Sequence, residues 1–222
     1  MALSVGNKTA YHQIPASNSL TLSHTQNAGA DRVIIVSMAH SNTVNINAVR
    51  YGGVLMTVRI NRNLGGQGIR QSTFELKDPP SGSNNLVLNW SGSLWNFASI
   101  QVTSFLGADV GGNIINTGGS SSPNSRSITV SAGSVIYSRG VSPNSFTNIT
   151  VAGRSSTGGG LEPNNKNINK ITSGAYSNAG LTAGTYNVVH TTTSGGVSVM
   201  ALEVKEGGTT PVTNNGNFFL TL

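Results

Sequence analysis

Between residues 32 and 109 the chain repeats one local pattern: a short β-branched or aliphatic run, then a cluster of Gly, Pro, Asn or Ser. The stretch opens with Arg-Val-Ile-Ile-Val-Ser-Met-Ala at 32–39. It passes through Val-Arg-Tyr-Gly-Gly-Val at 49–54 and Phe-Glu-Leu-Lys-Asp-Pro-Pro at 74–80, and closes with Ile-Gln-Val-Thr-Ser-Phe-Leu at 100–106. Runs of this length and chemistry, punctuated in this way, are the signature of antiparallel strands joined by tight turns. Long helices are disfavoured, because only 9% of residues are charged and a surface helix needs charged or helix-favouring polar residues on its wet face. The expected fold is all-β, an antiparallel β-sandwich of jelly-roll type with extended termini.

The strands are expected as follows. Four apolar residues in a row, Val33, Ile34, Ile35 and Val36, predict a central strand covered on both faces. Leu20, Leu22 and His24 alternate with Thr21 and Ser23, and Val44, Ile46 and Ala48 alternate with Asn45 and Asn47, each a strand with one buried face. Tyr51-Gly52-Gly53-Val54 predicts a tight turn. Residues 61–70 read as a flexible loop, and the strand over 72–77 stops at Asp78-Pro79-Pro80 because proline cannot donate to a ladder. Further strands are expected over 86–90, 127–130, 134–137, 147–151, 185–191 and 197–205. Residues 109–124 read as a crossing loop or a boundary, and 154–173 as loop-rich. No internal repeat stands out. One sandwich over 14–206 is expected, preceded by an N-terminal arm at 1–13 and followed by a linker and apolar tail at 207–222.

The order of these elements resembles a β-sandwich domain of phage virion proteins and some bacterial surface proteins. The resemblance rests on the aliphatic strand at 32–39, the Val-x-Tyr-Gly-Gly-Val turn at 49–54, the Pro-Ser-Gly-x-Asn turn before the strand ending at Leu88, and the Val-Met-Ala-Leu-Glu-Val strand at 199–204. It implies a scaffold for attachment or assembly, of the capsid decoration (cement) or fibre type, and brings no catalytic motif. The partner it implies is a major capsid or other virion protein, with self-association into a homo-oligomer, taken as a trimer. The first nine residues lack the apolar core of a signal peptide, while the Ser/Thr/Asn/Gly-rich composition looks extracellular. A virion protein, made in the cytoplasm and released by lysis, meets both conditions.

The thirteen Lys and Arg residues give a formal charge of +6 but are scattered, without a basic run interleaved with aromatics, which argues against nucleic acid. Arg59, Arg62 and Arg70 form the densest group and are expected to face acidic patches on a partner. Phe218, Phe219 and Leu220, after a flexible spacer, are expected either to fold back as a last strand or to add to a neighbour's sheet edge. Trp90, Trp95 and Phe97 are the candidate sugar-stacking residues of the alternative reading, a carbohydrate- or receptor-binding module of a fibre. Glu75 and Asp78 are the nearest approach to a glycosidase pair, and Asp78 is explained by its turn. The absence of cysteine excludes disulfides and thiolate metal sites. His12, His24, His40 and His190 lie too far apart for a metal-binding motif. No apolar run approaches membrane-spanning length, and no cofactor or enzymatic activity is expected.

Overall fold

The computed structural model describes residues 2–12, 17–63, 68–92, 98–117, 122–142, 144, 146–157, 165–167 and 170–208, and all regular structure among them is β. The first nine strands are β1 (Ser4–His12), β2 (Ser19–Gln26), β3 (Val33–Ser41), β4 (Val44–Tyr51), β5 (Val54–Leu55), β6 (Thr57–Asn63), β7 (Ile69–Lys77), β8 (Gly82–Gly92) and β9 (Ala98–Leu106). They form two antiparallel sheets, ordered β1-β9-β3-β7-β6 and β2-β8-β4-β5. One core fills the space between them: Ile34, Val36, Met38, Phe74, Ile100 and Val102 from the first sheet meet Leu22, Val49, Tyr51, Leu86, Leu88 and Trp90 from the second. The expected arm at 1–13 is in fact the edge strand β1, paired to β9 from Ser4↔Leu106 to His12↔Ser99.

The remaining strands are β10 (Ala108–Asp109), β11 (Ile114–Thr117), β12 (Asn124–Val130), β13 (Val135–Ser142), β14 (Phe146–Val151), β15 (Arg154–Thr157), β16 (Asn165–Asn167), β17 (Lys170–Tyr176), β18 (Gly184–Thr192) and β19 (Ser198–Glu206). One sheet runs β10/β11-β19-β13-β17-β16 and the other β12-β18-β14-β15. This is the wiring of the first half repeated strand for strand, with β10 and β11 together standing where β1 stands. The single sandwich expected over 14–206 is therefore two sandwiches of one topology, the second with its own core around Ile128, Ile136, Ile149, Val188 and Val199.

Local details repeat with the wiring. The β4–β5 turn has positive φ at Gly52 (54°) and Gly53 (83°), and the β14–β15 turn has it at Ala152 (49°) and Gly153 (80°). Such a turn matches the right-handed twist of the strands it joins. Its amide reaches the same place in both halves: Gly52 N–H donates to the Asn85 carbonyl at 2.9 Å, and Ala152 N–H to the Asn187 carbonyl at 3.1 Å. Gly-x-x-Asn-Leu-Val at 82–87 and Gly-x-x-Asn-Val-Val at 184–189 carry that acceptor. One residue after Ile46 and one after Phe146, a bulge interrupts the ladder.

A third apolar layer joins the sandwiches. Side chains alternate across a strand, so Ile34, Val36 and Met38 enter the first core while Val33 and Ile35 leave from the opposite face of β3. They pack with Phe105 against Val135, Tyr137, Met200, Leu202 and Val204 of the second half. β3 is consequently buried at every position, as its apolar run predicts, and so is β13. The Phe105 and Tyr137 rings meet edge to face, with centroids 6.5 Å apart. Beside them Arg139, fully buried, extends its guanidinium across the layer to the carbonyls of Ser37 and Ser99 and the Ser99 hydroxyl. Buried among backbone acceptors of the opposite sandwich, Arg139 ties the halves by hydrogen bonds as well as by packing.

Candidate interaction surface

Most residues that could do chemistry are spent inside this architecture. Glu75, on the face of β7 that looks at the second sandwich, accepts from Arg59 at 2.6 Å. The other guanidinium nitrogen of Arg59 donates to the Gly112 carbonyl, and Gly111 N–H donates to the same Glu75 oxygen at 3.2 Å. The pair thus clamps the segment between the sandwiches. Asp78 does not join Glu75. It holds a left-handed turn (φ 48°) and pairs with the backbone of Arg32 through Asp78 N–H to the Arg32 carbonyl (2.7 Å) and Arg32 N–H to Asp78 Oδ1 (3.3 Å). Asp109 takes Lys77 at 2.8 Å, and this ion pair with the Val110 amide holds its carboxyl below the usual range.

Glu203 is buried on β19, the last strand of the second sandwich. Burial alone raises a carboxyl, but here the amides of Asn113 (2.8 Å) and Ser131 (2.6 Å) and the Ser134 hydroxyl (2.9 Å) outweigh it and hold Glu203 low. At the matching register position of the first half stands Ser104, whose hydroxyl meets His24 (2.8 Å) and Gln26 (2.8 Å). One place in the fold is satisfied by a carboxylate in one half and by a neutral hydroxyl in the other.

The histidines are also internal. His24 lies between the Thr9 (2.7 Å) and Ser104 hydroxyls. His40 Nδ1 lies 2.9 Å from the Ser41 carbonyl, which can only accept, so Nδ1 carries the proton and Nε2 faces Ser72 at 2.9 Å. The Ser138 hydroxyl donates to the Met200 carbonyl, so His190 Nε2–H donates to Ser138 at 2.8 Å. His190 Nδ1 is left without a hydrogen-bond partner, against the Phe146 ring and Gly140. Desolvation lowers all three rings, His24 and His40 to about 4 and His190 to about 3.

The sequence-predicted contact residues separate. Arg59 is committed to Glu75 and Gly112 and does not present itself to a partner, because the bulge between Val58 and Ile60 turns it inward. Arg62 is exposed on β6; Arg70, half-buried, donates to Asn45 Oδ1 at 2.5 Å. The three do not form one basic patch. Trp90, expected as a possible sugar platform, is a core residue 3% exposed between the two sheets, since its position on β8 shares the inward face with Leu86 and Leu88. Trp95, Phe97, Phe218, Phe219 and Leu220 lie outside the described residues.

One surface does stand out, and sequence reasoning missed it by reading 61–70 as a loop. β6 is the outermost strand of its sheet and β5 the outermost strand of the facing sheet. Between them the chain turns the open corner of the first sandwich, and there Val54, Leu55 and Val58 are 47%, 54% and 52% exposed. They are the exposed large apolar side chains among the described residues, gathered within five positions. Val58 pairs with Phe74 and Val54 with Tyr51, so both lean over the seam of the core, while Leu55 faces outward beside Arg50. In the second sandwich the positions matching Val54 and Leu55 are Arg154 and Ser155. No family model matches the chain, and no curated protein is similar to it by sequence.

Proposed function

We propose that the chain is a non-enzymatic attachment module of a phage particle, a capsid decoration protein that binds neighbouring shell subunits through the open β5–β6 corner. The apolar corner carries this reading. A sheet edge is normally guarded by charge, proline or a covering segment, and at this corner Val54, Leu55 and Val58 are exposed together, where arginine occupies the place of Val54 in the other sandwich. The wiring adds support: leaving the outer strand β6 aside, β1-β9-β3-β7 and β2-β8-β4-β5 are compatible with a jelly roll, an architecture of viral capsid and lectin domains. So does the use made of the described carboxylates and histidines, which hold turns, the segment between the sandwiches and the core. Paired sandwiches locked by a buried third layer suit a part that must present a surface without deforming.

The test has two arms. Antibodies against the chain should label intact particles released by lysis of the cells that make it; label confined to free protein would overturn the virion reading. Light scattering on a size-exclusion column should give a defined oligomer for the full chain and a monomer for Leu55→Asp/Val58→Asp, with an unchanged melting temperature. An oligomer that survives both substitutions would remove the corner from the interface.

A further inference from the structure

We infer that the β5–β6 corner takes an acidic and apolar segment of the shell subunit, a few apolar side chains bordered by Asp or Glu. The inference rests on the attachment reading above and specifies the partner's chemistry. The centre of the surface is Val54, Leu55 and Val58, each about half exposed. Its border is cationic. Arg50, exposed on β4, stands directly across the ladder from Leu55, which sets their Cβ atoms about 5 Å apart. Arg62, exposed on β6, follows Val58 by three ladder steps, from Phe74 to Gln71, or about 10 Å along the strand. Arg70 reaches from β7 to Asn45 Oδ1 on β4 at 2.5 Å and so bridges the two sheets further along the same open side.

The protein brings no carboxylate of its own to this border. From residue 32 to residue 74 the chain holds five arginines and no Asp or Glu. Arg50 donates to the Gly53 carbonyl at 3.1 Å and Arg70 to an amide oxygen, both neutral acceptors. Glu75 is taken by Arg59, Asp109 by Lys77, and Glu203 by the amides of Asn113 and Ser131. Asp78 accepts from Arg32 N–H, Asp31 lies beside Gly207, and Glu206 pairs with Ala108, all where β3 begins and β19 ends.

An apolar centre with a charged rim is the anatomy of a protein interface, and a rim of one sign selects a partner of the other and repels its own. The second sandwich keeps neither part. Ser155 stands in the place of Leu55 and Thr150 in that of Arg50, while Arg154, in the place of Val54, lays its guanidinium over the Tyr176 ring at 4.9 Å from the centroid. The three aliphatic side chains belong to or adjoin paired strands and have no exposed aromatic beside them among the described residues, which suits neither base stacking nor insertion among lipid tails.

The test is selection of a random dodecapeptide library, displayed on yeast, against the full-length chain. Enriched peptides should combine two or more apolar residues with Asp or Glu within about three positions. Full-length Arg50→Glu/Arg62→Glu, with an unchanged melting temperature, should retain those peptides about tenfold less and enrich Lys or Arg at the same positions; Leu55→Asp/Val58→Asp should retain none. Enrichment without an acidic excess, or equal retention by the charge-reversed chain, would overturn the inference. So would binding to phosphatidylserine vesicles or duplex DNA that the same substitutions abolish. Peptides retained by full-length Phe218→Ser/Leu220→Ser but not by the unaltered chain would assign the corner to the chain's own tail and overturn it too. Acidic selection without particle labelling would keep this chemistry and remove the virion; labelling with neutral or basic selection would overturn this inference alone.

Discussion

Lowering the pH should unfold this protein well before its carboxylates titrate, and the three buried histidines set the size of the effect. An unfolded histidine titrates near 6.5, while burial holds His24 and His40 at about 4 and His190 at about 3 in the folded chain. Each folded pKa lies below the unfolded one, so the unfolded chain takes up protons that the folded chain refuses. The stability they represent is fully present above pH ~6.5 and is lost as pH falls toward 4 and 3. At pH 5 each histidine accounts for about 2 kcal/mol, and the three for about 6 kcal/mol, against a total stability of about 5–15 kcal/mol for an ordinary domain. Geometry explains why no compensation arises at His190. Its Nε2 already donates to Ser138, so a second proton would go onto Nδ1, against Phe146 and with no acceptor. Urea midpoints followed by fluorescence at pH 7.5, 6 and 5 should fall steeply, with close to three protons bound on unfolding near pH 5. His190→Gln should remove about one of them, whatever it does to stability at pH 7.5. A midpoint unchanged between pH 7.5 and 5, or a proton count untouched by His190→Gln, would refute the reasoning.

Two further substitutions separate structural from surface roles. Glu203→Gln keeps the shape but sets an amide NH2 against either the Asn113 or the Ser131 amide, so a loss of about 2–4 kcal/mol is expected at pH 7 in urea unfolding. Since the Glu203 carboxyl is held low, its share of stability is present above the usual carboxylate range and lost in acid, and the variant should show a shallower decline below pH 4. Arg59→Ala should lower stability by about 3 kcal/mol through the uncompensated, buried Glu75, while leaving the oligomeric mass by light scattering unchanged. Lost assembly with intact stability would restore Arg59 as a contact residue.

What could be read from the sequence followed from how strongly each element's surroundings dictate its residues. β3 was legible because both its faces are buried, which forces an unbroken apolar run. β8 was legible from alternation, which also places Trp90 on the inward face once Leu86 and Leu88 are recognised as its companions. β6 was not. An edge strand has one neighbour, its bulge breaks the period of two, and Arg59, Asn61, Arg62 and Asn63 look like loop residues when the burial of Arg59 against Glu75 is unknown. Arg139 was the one overlooked warning: a charge in the run Val-Ile-Tyr-Ser-Arg-Gly-Val at 135–141 implies either exposure or a partner, and here its partners sit on the other sandwich.

The repeat escaped detection for a related reason. Equivalent positions keep their place in the fold but not their chemistry: Leu88 corresponds to His190, Met38 to Gly140, Ser37 to Arg139 and Ser104 to Glu203 in the two halves. These exchanges are coupled. Gly140 leaves the space that the His190 and Phe146 rings occupy, since a Cβ there would overlap both, where the first half fills its core with Met38 and Leu88. Arg139 exists only because a second sheet lies across from it, so its place in the sequence is intelligible only with the halves joined. What survived at sequence level are the features that a single sandwich requires of itself, namely the left-handed turn after β4 and β14 and the asparagine carbonyl that receives its amide. Residues answering to the joint, or to the outside, diverged. The outward divergence includes Val54 and Leu55 against Arg154 and Ser155, positions that pair in the same way with the strand before the turn.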